Sequence, residues 1–170
     1  MKSETQKASE VFSYTEAEGC EIDKEIAYYN SLPICFDDFI SLPELTDDMI
    51  SLACRVKAPA IAEKKYVPAY IFDICKNEER IGEISLRIGY TKGLYYDGQI
   101  GYSVKEEYRG NGYAVRACRL LIPVAKAHGM TKLLITNDYS NTASRRVCEK
   151  LGSDRARSII YAGGIPSGKA

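Results

Sequence analysis

Seven residues, Tyr108-Arg109-Gly110-Asn111-Gly112-Tyr113-Ala114, carry the clearest chemistry in the chain. A strand-like run, Gln99 to Val104, leads into them, and a helix-like run, Val115 to His128, leaves. A small-residue turn from strand into helix leaves backbone N–H groups unpaired and aimed outward. The helix dipole adds partial positive charge at the same point. Such a place favours a phosphate or another anion.

Two common phosphate motifs do not fit. A P-loop ends in G-K-[ST], whereas Gly112 is followed by Tyr113-Ala114. The dinucleotide fingerprint needs a third glycine where Val115 stands, and its first glycine at the strand end. Other reactive groups are sparse. His128 is the one histidine, and it falls at the end of a helical run, where it meets the helix dipole. No Cys–His or Ser–His pair points to nucleophilic catalysis. The six cysteines include no C-x-x-C pair and read as reduced thiols, mostly small buried hydrophobes. With a single histidine they make no zinc pattern, so no metal is expected.

The elements that position the turn are legible from periodicity. Tyr66 to Cys75 and Ile81 to Ile88 read as strands, joined by the polar link Lys76 to Arg80 as a hairpin. Gly89 to Gly98 reads as a turn-rich link, and Gln99 to Val104 alternates again. Three neighbouring antiparallel strands are the simplest arrangement. Upstream, Thr46 to Lys57 is expected to be a helix, with Thr46 as N-cap and Asp47 and Asp48 in its first turn. Val11 to Tyr14 reads as a strand and Ile22 to Tyr29 as a short helix. Downstream of the turn, Gly129 closes the long helix, and Pro123 should kink or weaken it. Lys132 to Thr136 is a short buried strand, reached by a right-handed crossover. Ser140 or Asn141 caps a last helix that ends at Gly152, and Ser158 to Tyr161 is one more strand.

A length of 170 residues suits one domain, residues 1–170, with 1–10 and 163–170 flexible. Acidic and basic residues balance at 23 each, which gives no sign of nucleic-acid or membrane partners. No apolar run is long enough to span a bilayer, and the start has no signal-like core, so a cytoplasmic protein is the expectation.

Arg109-Gly110-Asn111-Gly112-Tyr113-Ala114 also fits [Q/R]-x-x-G-x-[G/A], and here a resemblance to a known family emerges. The stretch resembles the acetyl-CoA pyrophosphate loop of the GNAT acyltransferases. Gln99-Ile100-Gly101-Tyr102-Ser103-Val104 stands in the preceding strand, and Asn141-Thr142-Ala143-Ser144 through Leu151-Gly152 is similar to the family's last-helix motif. The resemblance covers about Tyr66 to Gly152 and is nearest to a bacterial-type branch with I-G-Y in that strand. It implies an α/β fold: a central, mostly antiparallel sheet flanked by helices, with one parallel pair of strands splayed apart. It implies that backbone of Arg109 to Ala114 holds a pyrophosphate. Tyr102 and Val104 would offer backbone groups to the pantetheine arm, and Asn141 would help bind that arm.

The implied activity is acetyl transfer from acetyl-CoA to a primary amine by direct attack in a ternary complex. Many family members use a last-helix Tyr to protonate the leaving thiolate; Cys148 stands there instead, and Tyr102, Tyr139 or water could substitute. Glu83 and Asp138 are the acidic residues to test as base. Family members commonly end with two further strands, whereas 18 residues follow Gly152 here. The last strand is then missing or comes from a partner chain, which would make a homodimer. A non-catalytic acyl-CoA-binding or regulatory module is the alternative, and a structural domain using only the fold is the weaker third.

Overall fold

Asn77 and Glu78 both adopt positive φ, 50° and 67°. Two such residues match the right-handed twist of flanking strands and close a tight hairpin. The strands they join are β2 (Ala69–Lys76) and β3 (Glu79–Arg87), antiparallel with Phe72 opposite Ile84. The structure, a computed structural model, describes Lys24, Ala27, Tyr28, Ser31, residues 36–130, 132–136 and 141–152, and the backbone of 157–161. The strand expected at Val11–Tyr14 and both tails lie outside the described residues. Of the helix expected at Ile22–Tyr29, the described Lys24, Ala27 and Tyr28 are helical.

Upstream of the hairpin lies β1 (Ser51–Ala58), paired antiparallel with β2. This corrects the helix expected at Thr46–Lys57. Asp47 does not open a helix; its Oδ1 accepts from the N–H of Met49 at 2.7 Å and Ile50 at 2.8 Å. An Asp side chain that bonds the backbone two residues on makes a turn. Beyond it burial falls on Ile50 and Leu52, a spacing of two, while Met49 is 40% exposed and Ala53 is also exposed. The helical reading followed the wrong period; pairing with β2 decides the matter.

The link after β3 holds a short helix, α1 (Lys92–Asp97), that the sequence does not announce. Thr91 Oγ1 accepts from Leu94 N at 3.2 Å as its cap, and burial of Leu94 and Tyr95 holds it in place. So short a helix depends on such packing. Gly98, at φ 78°, ends it and starts β4 (Ile100–Val104), antiparallel to β3. The four strands form one sheet in the order β1-β2-β3-β4.

After the glycine turn comes α2 (Tyr113–Ala127). It continues through Pro123 as helix to Ala127. Gly129 takes φ 73°, with Gly129 N donating to Lys126 O and Met130 N to Ala125 O, a Schellman closure. Ala117, Cys118, Leu121, Val124 and Ala125 on α2 are fully buried, in one core with Tyr70, Phe72, Ile74, Ile84 and Leu86 of the sheet. β5 (Lys132–Thr136) pairs antiparallel with β6 (Arg157–Tyr161), and α3 (Thr142–Lys150) lies between them in sequence.

β4 and β5 belong to separate ladders. They meet at buried Gln99, whose N–H donates to Leu134 O and whose Oε1 accepts from Leu134 N, both at 2.7 Å. Its Nε2 donates to Gly89 O at 2.6 Å. Beyond this clip the two strands share no ladder, and a cleft opens between them.

Among the described cysteines, Cys118 and Cys148 are buried, as the sequence suggests, but Cys54 is exposed and Cys75 half-buried. His128 does more than face a helix dipole. It is 1% exposed, lies tilted against Phe36, and its Nε2 is 2.7 Å from the Tyr70 hydroxyl. That hydroxyl also accepts from Ile40 N at 3.0 Å.

Candidate functional site

One turn of 3-10 helix, Glu106–Tyr108, carries the chain from β4 into the glycine turn. Gly110 and Gly112 hold φ at 78° and 77°. A side chain disfavours that conformation. Yet a Cβ built on either glycine meets nothing within 4 Å. The glycines are therefore needed for backbone shape, and the space in front of them stays open. Gly112 is the N-cap of α2 and supplies no capping side chain. Arg116 N, donating to Gly112 O at 3.1 Å, is the first N–H of the helix to bond back. The N–H groups of Tyr113, Ala114 and Val115 have no intrahelical partner.

The turn is braced on three sides. Asn111 Nδ2 donates to the carbonyls of Tyr108 (3.0 Å) and Arg109 (3.2 Å). Arg109 Nε donates to Val104 O at 2.9 Å, tying the turn to the end of β4. Arg116 pairs with Asp47 at 3.0 Å and Asp48 at 2.7 Å, fixing α2 to the loop before β1. Burial alone would raise the Asp47 carboxyl, but the N–H groups of Ile50 and Met49, with Arg116, outweigh it and lower the pKa.

The β3–β4 ladder determines which backbone groups of β4 are free. Lys105 N bonds Ile81 O, and Arg87 N bonds Gln99 O, so the odd residues of β4 face β3. In an antiparallel pair the alternate residues then turn N–H and C=O to the other edge. Tyr102 and Val104 point theirs toward the gap. Gly82 lies opposite Val104, and a Cβ there would come within 2.4 Å of Ser103 O. β4 is seated against β3 at this one point by the missing side chain.

The gap is a cleft of about 990 Å³ that runs from the turn along β4 and against α3. Val104, Arg109, Gly110, Gly112, Tyr113 and Ala114 line it together with Tyr102 and Asn141. Asn141 is both a helix cap and a cleft-lining residue. Its Oδ1 accepts from Ser144 N at 3.0 Å as the cap of α3, and its side also faces the cleft. Asn111, by contrast, uses its amide to brace the turn.

Inside the cleft the Tyr102 hydroxyl lies 2.9 Å from Ser144 Oγ. Burial pushes the Tyr102 phenol up to about 12, against a lowering by the Ser144 bond. Cys148 is fully buried and is not on the cleft wall. Beside it, burial and then Cys148 itself push the Cys118 thiol up. Glu83 is also away from the cleft. On the outer face of the sheet its carboxylate pairs with Arg55 and with Arg80, and both arginines also reach Asp73. Asp138 and Tyr139 lie outside the described residues.

Several lining residues are not singled out by sequence. Arg146 and Lys150, four apart on α3, both face the cleft; the spacing of two cations on one helix face was the available signal. Ser144, Arg87 and Asp97 line it too. Among the described residues no group of His, Cys, Asp and Glu is placed to hold a metal, and no helix is long and apolar enough to cross a membrane.

Residues 37–154 match the model of the acetyltransferase (GNAT) domain family. No functionally curated protein matches the chain. Among solved structures, a probable acetyltransferase is 27% identical over 49% of this chain and 47% of its own, with TM-score 0.42. RimL, the ribosomal L7/L12 α-N-protein acetyltransferase, is 16% identical in an apo form, over 64% of this chain and 80% of its own, with TM-score 0.47. RimL in complex with coenzyme A is 22% identical over 52% and 48%, with TM-score 0.40. This chain thus spans about half the length of two of these three structures. The family match extends over more than half of the chain and takes in the sheet, the glycine turn, the cleft and α3, so the chain belongs to the GNAT acetyltransferase family.

Proposed function

We propose that the protein transfers an acetyl group from acetyl-CoA to a primary amine by direct attack in a ternary complex. The observation that carries this reading is the continuity of one cleft from the glycine turn to the free edge of β4. The residues fit such a ligand. The N–H groups at the start of α2 and the open space before Gly110 and Gly112 suit a pyrophosphate, with Arg146 and Lys150 supplying positive charge. The backbone groups of Tyr102 and the N–H of Val104, turned to the gap, suit an amide-bearing arm.

Acetyl-CoA would supply a thioester whose C–S bond breaks as the amine nitrogen forms the new C–N bond. One ammonium becomes an amide, one thioester becomes a thiol, and one proton is released. The Tyr102–Ser144 hydroxyl pair is the proposed proton donor to the departing sulfur, the part for which the buried Cys148 is poorly placed. A phenol held near 12 keeps its proton through the neutral range, so it is present there to hydrogen-bond the departing sulfur as charge builds on it. Asp97 is the described carboxylate on the cleft wall, and it can draw the ammonium and take its proton.

The burial of Cys148 favours one rival, a module that binds acyl-CoA without turnover. Calorimetry with CoA and acetyl-CoA, followed by thiol release over an amine panel, separates the two. The proposal expects micromolar binding and release of CoA. Binding with no release from any amine would leave the rival.

A further inference from the structure

The end of the cleft farther from the glycine turn has a different chemistry. Arg87 and Asp97 line it there, near the start of β4. Arg87 N pairs with Gln99 O, whereas the turn follows Val104. Roughly 15 Å of strand therefore separates the two ends. One end gathers N–H groups and cations. The other presents one guanidinium and one carboxylate.

These two charges are not spent on each other. Arg87 gives Nη1 to Gly98 O at 3.0 Å, which fixes the guanidinium and leaves its other N–H groups without a partner among the described residues. Asp97 makes no ion pair or hydrogen bond among the described residues. Elsewhere the arginines that meet carboxylates are paired: Arg55 and Arg80 with Asp73 and Glu83, Arg116 with Asp47 and Asp48. An anchored but unpaired fork beside an unpaired carboxylate, both on a cleft wall, suits a ligand that brings both opposite charges.

Resting on the acetyltransferase reading above, we infer that the acceptor is a small zwitterionic amine of amino-acid type. Arg87 holds its carboxylate and Asp97 its ammonium. The planar fork of an arginine matches a carboxylate in two parallel bonds. Asp97 takes one ammonium proton and passes it to solvent, and the freed lone pair is then the nucleophile. A polyamine would instead bring a second ammonium against Arg87, a like-charge contact that works against it.

The test uses the full chain, acetyl-CoA, and three sets of acceptors: common L-amino acids, their carboxamides, and the matching amines lacking the carboxylate. CoA binding is measured first by calorimetry. The inference expects kcat/KM for at least one amino acid to exceed that of its carboxamide about tenfold or more, as a lost charged hydrogen bond implies. Arg87→Gln should bring that ratio toward one, and Arg87→Lys should restore part of it, with CoA affinity reporting that the fold is kept. Where the variant does not fold, the wild-type ratio decides alone. Bound CoA with no preference for the carboxylate, or no turnover of any amino acid, overturns the zwitterion and leaves CoA binding standing. Absence of CoA binding overturns the acetyltransferase reading beneath it.

Discussion

The hydroxyl of Tyr102, on the last strand of the four-stranded sheet, lies 2.9 Å from Oγ of Ser144, on the helix that closes the cleft. Tyr102 is also one of the residues whose backbone faces the gap. The pair thus links the strand edge to α3 at the place where an acyl donor would run.

Tyr102→Phe tests the proton-donor role. It should lower kcat by about a hundredfold, the usual span of a lost general acid, with the affinity for CoA nearly unchanged. Because the phenol is raised to about 12, wild-type kcat should not fall through loss of this proton up to about pH 10. Steady-state kinetics across that range checks both; an unchanged kcat in Tyr102→Phe contradicts the donor role, and an alkaline limb near pH 8 that vanishes in it contradicts the raised pKa.

Gly112→Val places a side chain in open space at φ 77°. The left-handed backbone costs about 1–2 kcal/mol of stability. The side chain also intrudes where the pyrophosphate is proposed to sit, so CoA should bind at least ~10-fold more weakly. Thermal melts and calorimetry on the same preparation separate the two losses.

Gly82→Ala acts at a distance from the turn. Its new Cβ would meet Ser103 O at 2.4 Å, which is backbone and cannot swing away. β4 must shift, at a cost of about 1–3 kcal/mol, as for other overpacked sites. Since Tyr102 and Val104 belong to that strand, CoA affinity should fall with stability. A variant that is destabilised yet binds CoA as tightly as wild type would separate β4 from the site.

Asp47→Asn addresses acid stability. The folded pKa of Asp47 is lowered, so its contribution is present above the ordinary carboxylate range and is lost as pH falls through the folded value. Urea melts at neutral pH and below about pH 4 should show that the variant loses less stability on acidification than wild type. Parallel slopes for the two proteins would rule out this role.

Much of the molecule was legible in the chain, for local reasons. The alternation of Ile84, Leu86 and their polar neighbours marks β3 whatever surrounds it, and Gly110, Gly112 and Gly129 stand where φ is positive. Asn141 caps the helix that its own neighbours form. Such features depend on dihedral limits and periodicity within a few residues. Tertiary structure decided the rest. Residues 46–57 could satisfy a helical pattern or a strand, and only the partner edge of β2 chose β1. Tyr102 meets Ser144 across 42 residues, Gly82 is crowded by a strand 21 positions on, and Arg87 comes to the wall that Asp97 lines through its pairing with Gln99 and its bond to Gly98. No local rule encodes those meetings, because each depends on how separate elements settle against one core.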